Sequence, residues 1–594
     1  MSLPIEKITE LAYSDRYKEY YAELLMELLA SDTTPKSDIS IIRENEIKAF
    51  GIIERELKNI EDSIVIKRIP INEVIESHPY FTQPYYTKIP EKPQGLSVNE
   101  TYNGRYNLVA VVKGQNESES GHKIIYNSHI DTVAPFLEYR REGDLIYGRG
   151  ACDAKGQVAL MLSHIKLLKE LGEPINQDRI YQFVIDEEPG GNGSLSLAID
   201  QSFKDSTDII VFEITNNKAH PANRGALWYK IELAGAFDDK INVAEMQAYV
   251  VLALEAEGRS IKSESNHPLF PTRPVQTCQG ILGSYGKHPS AVNDFVGFKI
   301  SADGVSSQQL RQIIDEAVRA YCNDYGDKTK EIDPVTGKPK VEQHYNIGAR
   351  GEEAKRQGGK RAKFSLSALL PYCPFASYPS CHLAVLPGFT KYDLEIFGKG
   401  GHMGAILECD DAITKGAYII KAFKDFERKN PGTQITVAMG QDSDSRKLII
   451  EGGQGFIPTH TIEEVQKRLN HAVAKGAQEY CQLIGVTYKP EMAITTYEKL
   501  HNDAYVSPVD CPAMQALQSA FEELGLDFGK PTAWLVSCDA RIFAKEGYNV
   551  VTFGPGLLSD AHQPVEKIDI KQAQEALAIS AIAALNLGNK SYET

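Results

Sequence analysis

Apolar residues in this chain form short continuous runs and longer helical stripes, and polar residues gather where the short runs stop. Tyr181-Gln182-Phe183-Val184-Ile185 and Ile209-Ile210-Val211-Phe212 read as buried strands, and an apolar strand also leads into Asn127. Residues 158–168 carry apolar side chains at helical spacing. Farther on, one order of elements is predicted twice. A strand at 227–233, a helix at 243–254, a strand pair within 280–300 and a helix at 306–320 precede a strand at 392–397, a helix at 412–426, strands at 434–439 and 447–450, and a helix at 461–474.

The strand ends carry the chemistry. Asn127-Ser128-His129-Ile130-Asp131 places a histidine and an aspartate two residues apart, so Asp131 can hold one ring nitrogen of His129 while the other meets a metal. Tyr147-Gly148-Arg149-Gly150-Ala151-Cys152-Asp153 turns tightly on its glycines and presents Asp153 at the start of the next helix, where its carboxylate could bridge two cations. Asp186-Glu187-Glu188 follows a buried strand, and three adjacent acids there call for a compensating charge, most simply a divalent cation. One carboxylate of such a set can ligate while its neighbour serves as general base. Glu213 ends another strand, and Ser559-Asp560-Ala561-His562 supplies a histidine near the C-terminus. Together His129, Asp153, Glu188, Glu213 and His562 make a nitrogen and oxygen donor set that suits two zinc ions, with cobalt or manganese as substitutes and Asp153 shared.

In this order, the motifs resemble the di-zinc amidohydrolase and exopeptidase family that includes acetylornithine deacetylase, succinyl-diaminopimelate desuccinylase, aminoacylases, glutamate carboxypeptidases and several dipeptidases. Residues 24–34 resemble the family's opening helix and turn, and Asp539-Ala540-Arg541-Ile542-Phe543 with Phe553-Gly554-Pro555-Gly556 its closing segment. The resemblance implies an α/β, zinc-exopeptidase-like catalytic domain, a mixed central sheet flanked by helices, with an inserted lid of two α+β modules. It also implies His129 and Glu213 on one zinc, Glu188 and His562 on the other, Asp153 between them, Asp131 behind His129, and Glu187 as catalytic base. On this reading 1–215 and 499–594 form the catalytic domain, 216–326 and 390–498 the two lid modules, and 327–389 an exposed excursion between them.

In such families a single lid dimerises and lends a histidine to its partner. Here Gly398-Lys399-Gly400-Gly401-His402 lies in the second copy, and Gly235-Ala236-Phe237-Asp238-Asp239 stands at the matching place in the first. The chain thus resembles the dipeptidase branch with fused lids, in which a monomer suffices and His402 polarises the substrate carbonyl. Asn293 matches the family's substrate-contacting asparagine, and Arg541 and Gly554 of the closing segment are assigned to the substrate as well. The arginine that usually grips a free carboxylate is missing from 299–304 and 451–458, leaving Arg446 and Arg541 as substitutes.

The expected reaction is hydrolysis of an amide or peptide bond in a small substrate by a hydroxide shared between the ions, with Glu187 as base. An N-acyl amino acid deacylase or desuccinylase is the alternative. A relative that kept only binding would have lost a ligand or the base, and none is lost. At 594 residues, 42% hydrophobic and 24% charged, the chain has the composition of a multidomain globular protein. Its net charge of -16 argues against a nucleic-acid partner. No stretch is apolar enough for a membrane span, the N-terminus is too acidic for a signal peptide, and nine cysteines without close pairing suggest reduced thiols, so the cytoplasm is expected.

Overall fold

The computed structural model describes residues 4–114, 123–204, 206–272, 274–286, 289, 291–329, 381–385, 391–402, 411–440, 446–499 and 502–589. Two compact units emerge: Met1–Gly225 with Pro268–Pro271 and Lys499–Thr594, and Ala226–His267 with Thr272–Glu498.

The first unit is organised by a six-stranded mixed sheet in the order Val65–Pro70, Tyr106–Val112, Arg179–Val184, Lys123–His129, Ser206–Phe212, Asn549–Phe553. The last four run parallel, and the first two add antiparallel pairs at one edge. Every residue of Arg179–Val184 is buried, as a strand covered on both faces requires. Tyr126 stacks between Tyr181 and Phe212 at ring distances of 5.0 and 5.9 Å, filling one face across three strands. Helices Asp15–Leu29, Lys155–Leu171 and Ile570–Asn589 pack against one another and into the same core.

The register decides where the chemistry falls. His129 pairs with Val184, and Phe553 with Phe212, so the carboxyl ends of the parallel strands finish side by side. His129 is the last residue of its strand, Asp186-Glu187-Glu188 follow Val184, Glu213 follows Phe212 and Gly554 follows Phe553. Open α/β sheets bind ligands at this edge.

The second unit differs from the tandem arrangement predicted by the pattern. One sheet runs Tyr285–Gly286, Thr277–Leu282, Lys447–Phe456, Gly225–Ala234, Ala493–Lys499; the other runs Cys381–Val385, Lys391–Phe397, Phe295–Asp303, Gln434–Met439. The copies therefore exchange halves. Thr277–Leu282 of the first pairs with Lys447–Phe456 of the second, and Phe295–Asp303 of the first lies between Lys391–Phe397 and Gln434–Met439 of the second. The result is one βαββαβ module nested inside another, each with its strands in the order two, three, one, four. Periodicity fixes each element but carries no information about long-range partners. Helices Val243–Glu264 and Ile462–Leu483 also outrun their predicted ends, because charged residues continue each helix beyond its apolar stripe. Most of the excursion expected at 327–389 lies outside the described residues. No described helix is long and apolar enough to cross a membrane.

Candidate metal centre

At the carboxyl edge of the first sheet, the Asp153 carboxylate lies between two imidazoles. Its Oδ1 is 3.2 Å from His129 Nε2, and its Oδ2 is 3.2 Å from His562 Nε2. A further acid stands on each side: Glu213 Oε1 is 3.7 Å from His129 Nε2, and Glu188 Oε1 is 3.0 Å from His562 Nε2. His129, Asp153 and Glu213 form one group of ligand atoms within 4.8 Å of one another, and Asp153, Glu188 and His562 form another. The structure thus brings together all five predicted ligand residues, with the two oxygens of Asp153 turned to opposite sides.

The ring of His129 is set for this role. Its Nδ1 lies 3.0 Å from the main-chain carbonyl of Asp131, so a proton on Nδ1 would be donated there while Nε2 faces Asp153 and Glu213. The Asp131 carboxylate, expected to hold that nitrogen, is 3.6 Å away. It also accepts the backbone N–H groups of Glu187 and Glu188 at 3.1 and 3.0 Å, so the carbonyl is the nearer partner of the ring while the carboxylate pins the turn at Glu187 and Glu188. From the opening turn, Thr33 donates to the Ile130 carbonyl at 2.7 Å and steadies the stretch between His129 and Asp131.

The three adjacent acids divide differently from the expectation that a cation compensates them all. Asp186, at φ 58°, turns away from the centre. Its carboxylate accepts from Arg105 Nη2 at 2.8 Å and from the Tyr86 and Tyr102 hydroxyls at 2.5 and 2.7 Å. Arg105 is wholly buried and also makes a two-pronged contact with Glu46 at 2.6 and 2.9 Å. Arg105 therefore neutralises Asp186 and leaves Glu187 and Glu188 to the site. Sequence reading missed this partner, which stands 81 residues upstream and carries no local signal.

The electrostatics favour a cation. Against the downward pull of burial, the nearby Asp131 and Asp153 carboxylates raise the His129 pKa well above its ordinary value. Glu188 leads the groups that push His562 up to about 11. Burial and the neighbouring Asp153 push Glu213 up to about 8, and burial with Asp539 beside it pushes Glu187 well up. Glu213 and Glu187 resist ionisation, while the two imidazoles favour the charged form and hold Asp153 below the usual carboxylate range against its burial; a field so short of positive charge is one that nitrogen and oxygen donors would satisfy by holding divalent metal.

The residues assigned to substrate are placed as follows. A Cβ on Gly554 would come 2.5 Å from the Glu213 carbonyl oxygen, so this glycine lets the closing strand end pass close behind Glu213. Arg541 is buried and donates to the carbonyls of Cys538 and Gly190, which commits it to the framework of the turn. In the second unit, Arg446 pairs with Asp239 at 2.8 Å. Ala291–Val292 pairs with Gly401–His402, Ala291 opposite His402, so Asn293 follows a strand beside the predicted histidine. The His402 side chain lies outside the described residues.

The profile of Peptidase family M20/M25/M40 matches residues 125–586. A peptidase M20 domain-containing protein of Schizosaccharomyces pombe is 34% identical over 143 residues, 24% of this chain and 34% of that protein. Carboxypeptidase G2 of a Pseudomonas species is 32% identical over 161 residues, 25% of this chain and 35% of that protein. The aligned part spans about a third of the length of these curated relatives. The dipeptidase Dug1p of Saccharomyces cerevisiae shares the fold, with a TM-score of 0.54, 12% identity and coverage of 100% of both chains.

Proposed function

The chain belongs to Peptidase family M20/M25/M40, and from that premise we propose that it hydrolyses the amide bond of a small peptide, as a dipeptidase or carboxypeptidase, with two zinc ions as cofactors. The observation that carries the reading is the Asp153 carboxylate, 3.2 Å from an imidazole on either side with a further acid next to each. His129 and Glu213 would hold one ion, Glu188 and His562 the other, and Asp153 both. Bound there, the pair supplies Lewis acidity for the scissile carbonyl and for the attacking water.

The protein's own groups do the rest. Glu187, beside a ligand in sequence and fixed through its backbone N–H by Asp131, takes the proton from water and returns it to the departing amine. The raised proton affinity of its half-buried carboxyl suits a group that must both accept and donate. The family resemblance assigns His402 to polarising the carbonyl oxygen and Asn293, next to its paired strand, to the substrate. The doubled module of the second unit fits a monomer, and cysteines such as Cys152, Cys481, Cys511 and Cys538, none of them in a disulfide, fit the cytoplasm.

Arg446 and Arg541 are engaged elsewhere, which favours keeping N-acyl amino acids beside dipeptides as candidate substrates. Metal-free protein reloaded with zinc and assayed on Xaa-dipeptides beside N-acetyl amino acids tests the proposal. Turnover confined to dipeptides supports the peptidase reading and turnover confined to the acetylated set the deacylase; hydrolysis of neither overturns both.

A further inference from the structure

Glu566 follows His562 by four residues and is buried, with 1% of its surface exposed. Its Oε1 accepts three main-chain N–H groups, from Gly150 at 2.9 Å, Cys152 at 3.0 Å and Asp153 at 3.1 Å. Oε2 accepts from Arg149 Nη1 at 2.6 Å, and Arg149 in turn donates through Nε to the Pro135 carbonyl. The loop that presents Asp153 is wrapped around this one carboxylate, in the way successive backbone N–H groups form a nest for an anion. On the other side, the main-chain carbonyl of Glu566 accepts from Gly148, and Lys567–Asp569 pairs with Leu145–Tyr147. One residue thus joins the Asp153 loop to the segment that carries His562.

The two ion positions do not depend on that joint equally. His129 ends a central strand and Glu213 follows another, with Gly554 closed behind it, so this pair is held by the sheet. His562 sits in a loop at φ 60° with 43% of its side chain exposed, and Glu188 lies in the turn after Val184. Their alignment on Asp153 Oδ2 relies on loops.

Building on the two-ion reading, we propose that Glu566 is a positioning residue which seats the Asp153 loop against the His562 segment and so sets the affinity of the position formed by Asp153, Glu188 and His562. The His129 and Glu213 position is affected far less. Metal-free parent and Glu566→Gln are titrated with cobalt(II) by calorimetry and visible absorption, which report binding and ligand geometry apart from turnover. The parent takes two equivalents; in the variant the first binds as in the parent within about threefold, the second weakens by about 10- to 100-fold, and its absorption band shifts. Equal weakening of both positions, or of neither, overturns the proposal. A parent that takes fewer than two equivalents removes the two-ion reading and this proposal with it, an outcome visible before any variant is made. Should Glu566→Gln not fold, Arg149→Met, which leaves the three N–H contacts in place, shows the same selective weakening to a smaller degree; equal effects on both positions overturn the proposal there too.

Discussion

Replacing Arg105 with methionine leaves two buried carboxylates without their cation. The Arg105, Glu46 and Asp186 side chains are 0%, 3% and 4% exposed, so water cannot take over the lost contacts. Removing one member of such a buried pair costs about 3–5 kcal/mol, a large fraction of the roughly 5–15 kcal/mol that holds a domain folded. The guanidinium also lies 5.0 Å from the Tyr102 ring and 5.8 Å from that of Tyr86, contacts that methionine replaces only in part. Catalysis should fall as well. Asp186 immediately precedes Glu187, and a shift of about 1 Å in a catalytic group can cost about 100-fold in kcat. The assay is urea unfolding at fixed metal load beside steady-state hydrolysis. The double variant Arg105→Met/Glu46→Leu, with one orphaned acid fewer, should be more stable than Arg105→Met alone. A loss below about 1 kcal/mol, with kcat unchanged, refutes the reasoning.

Glu187→Gln should lower turnover by about 100-fold or more while leaving metal content at the parent level, because this carboxylate is outside both ligand groups; activity within about tenfold of the parent removes its role as base. His164 gives a pH test away from the site. It is fully buried 3.3 Å from the Tyr181 hydroxyl, and burial, followed by Arg179, lowers its pKa from 6.5 to about 3. The unfolded chain takes up this proton below about pH 6.5 and the folded chain only near 3, so stability is complete above 6.5 and is lost as pH falls, by roughly 3 kcal/mol at pH 4.5. His164→Leu should show a correspondingly shallower acid limb in urea midpoints, and identical slopes for both proteins would disprove the linkage.

The five candidate residues could be singled out in the sequence: His129, Glu188 and Glu213 lie at or just after the ends of short apolar runs that parallel strands bring together, Asp153 follows a glycine turn, and His562 stood out only as a histidine near the C-terminus. Glu187 was singled out as the neighbour of Glu188 in the acid triplet. What escaped reading depends on contacts between distant residues. Nothing near Arg105 announces Asp186, and nothing near Glu566 announces three N–H groups more than 400 positions away. Asp131 was expected to act through its carboxylate on His129, yet the main-chain carbonyl is the nearer partner, a choice made by backbone direction after the strand ends. The second unit illustrates the same limit at larger scale. Its elements follow from periodicity, but the exchange of halves between the copies is a matter of pairing, and strands of similar pattern are interchangeable until packing selects among them.

The central claim is that Asp153 sits between two divalent cations. Diffraction from crystals of zinc-loaded protein, recorded at the zinc absorption edge, measures this directly. The account predicts two anomalous peaks per chain, one beside Asp153 Oδ1 with His129 and Glu213, the other beside Oδ2 with Glu188 and His562. A single peak, or peaks away from Asp153, contradicts it.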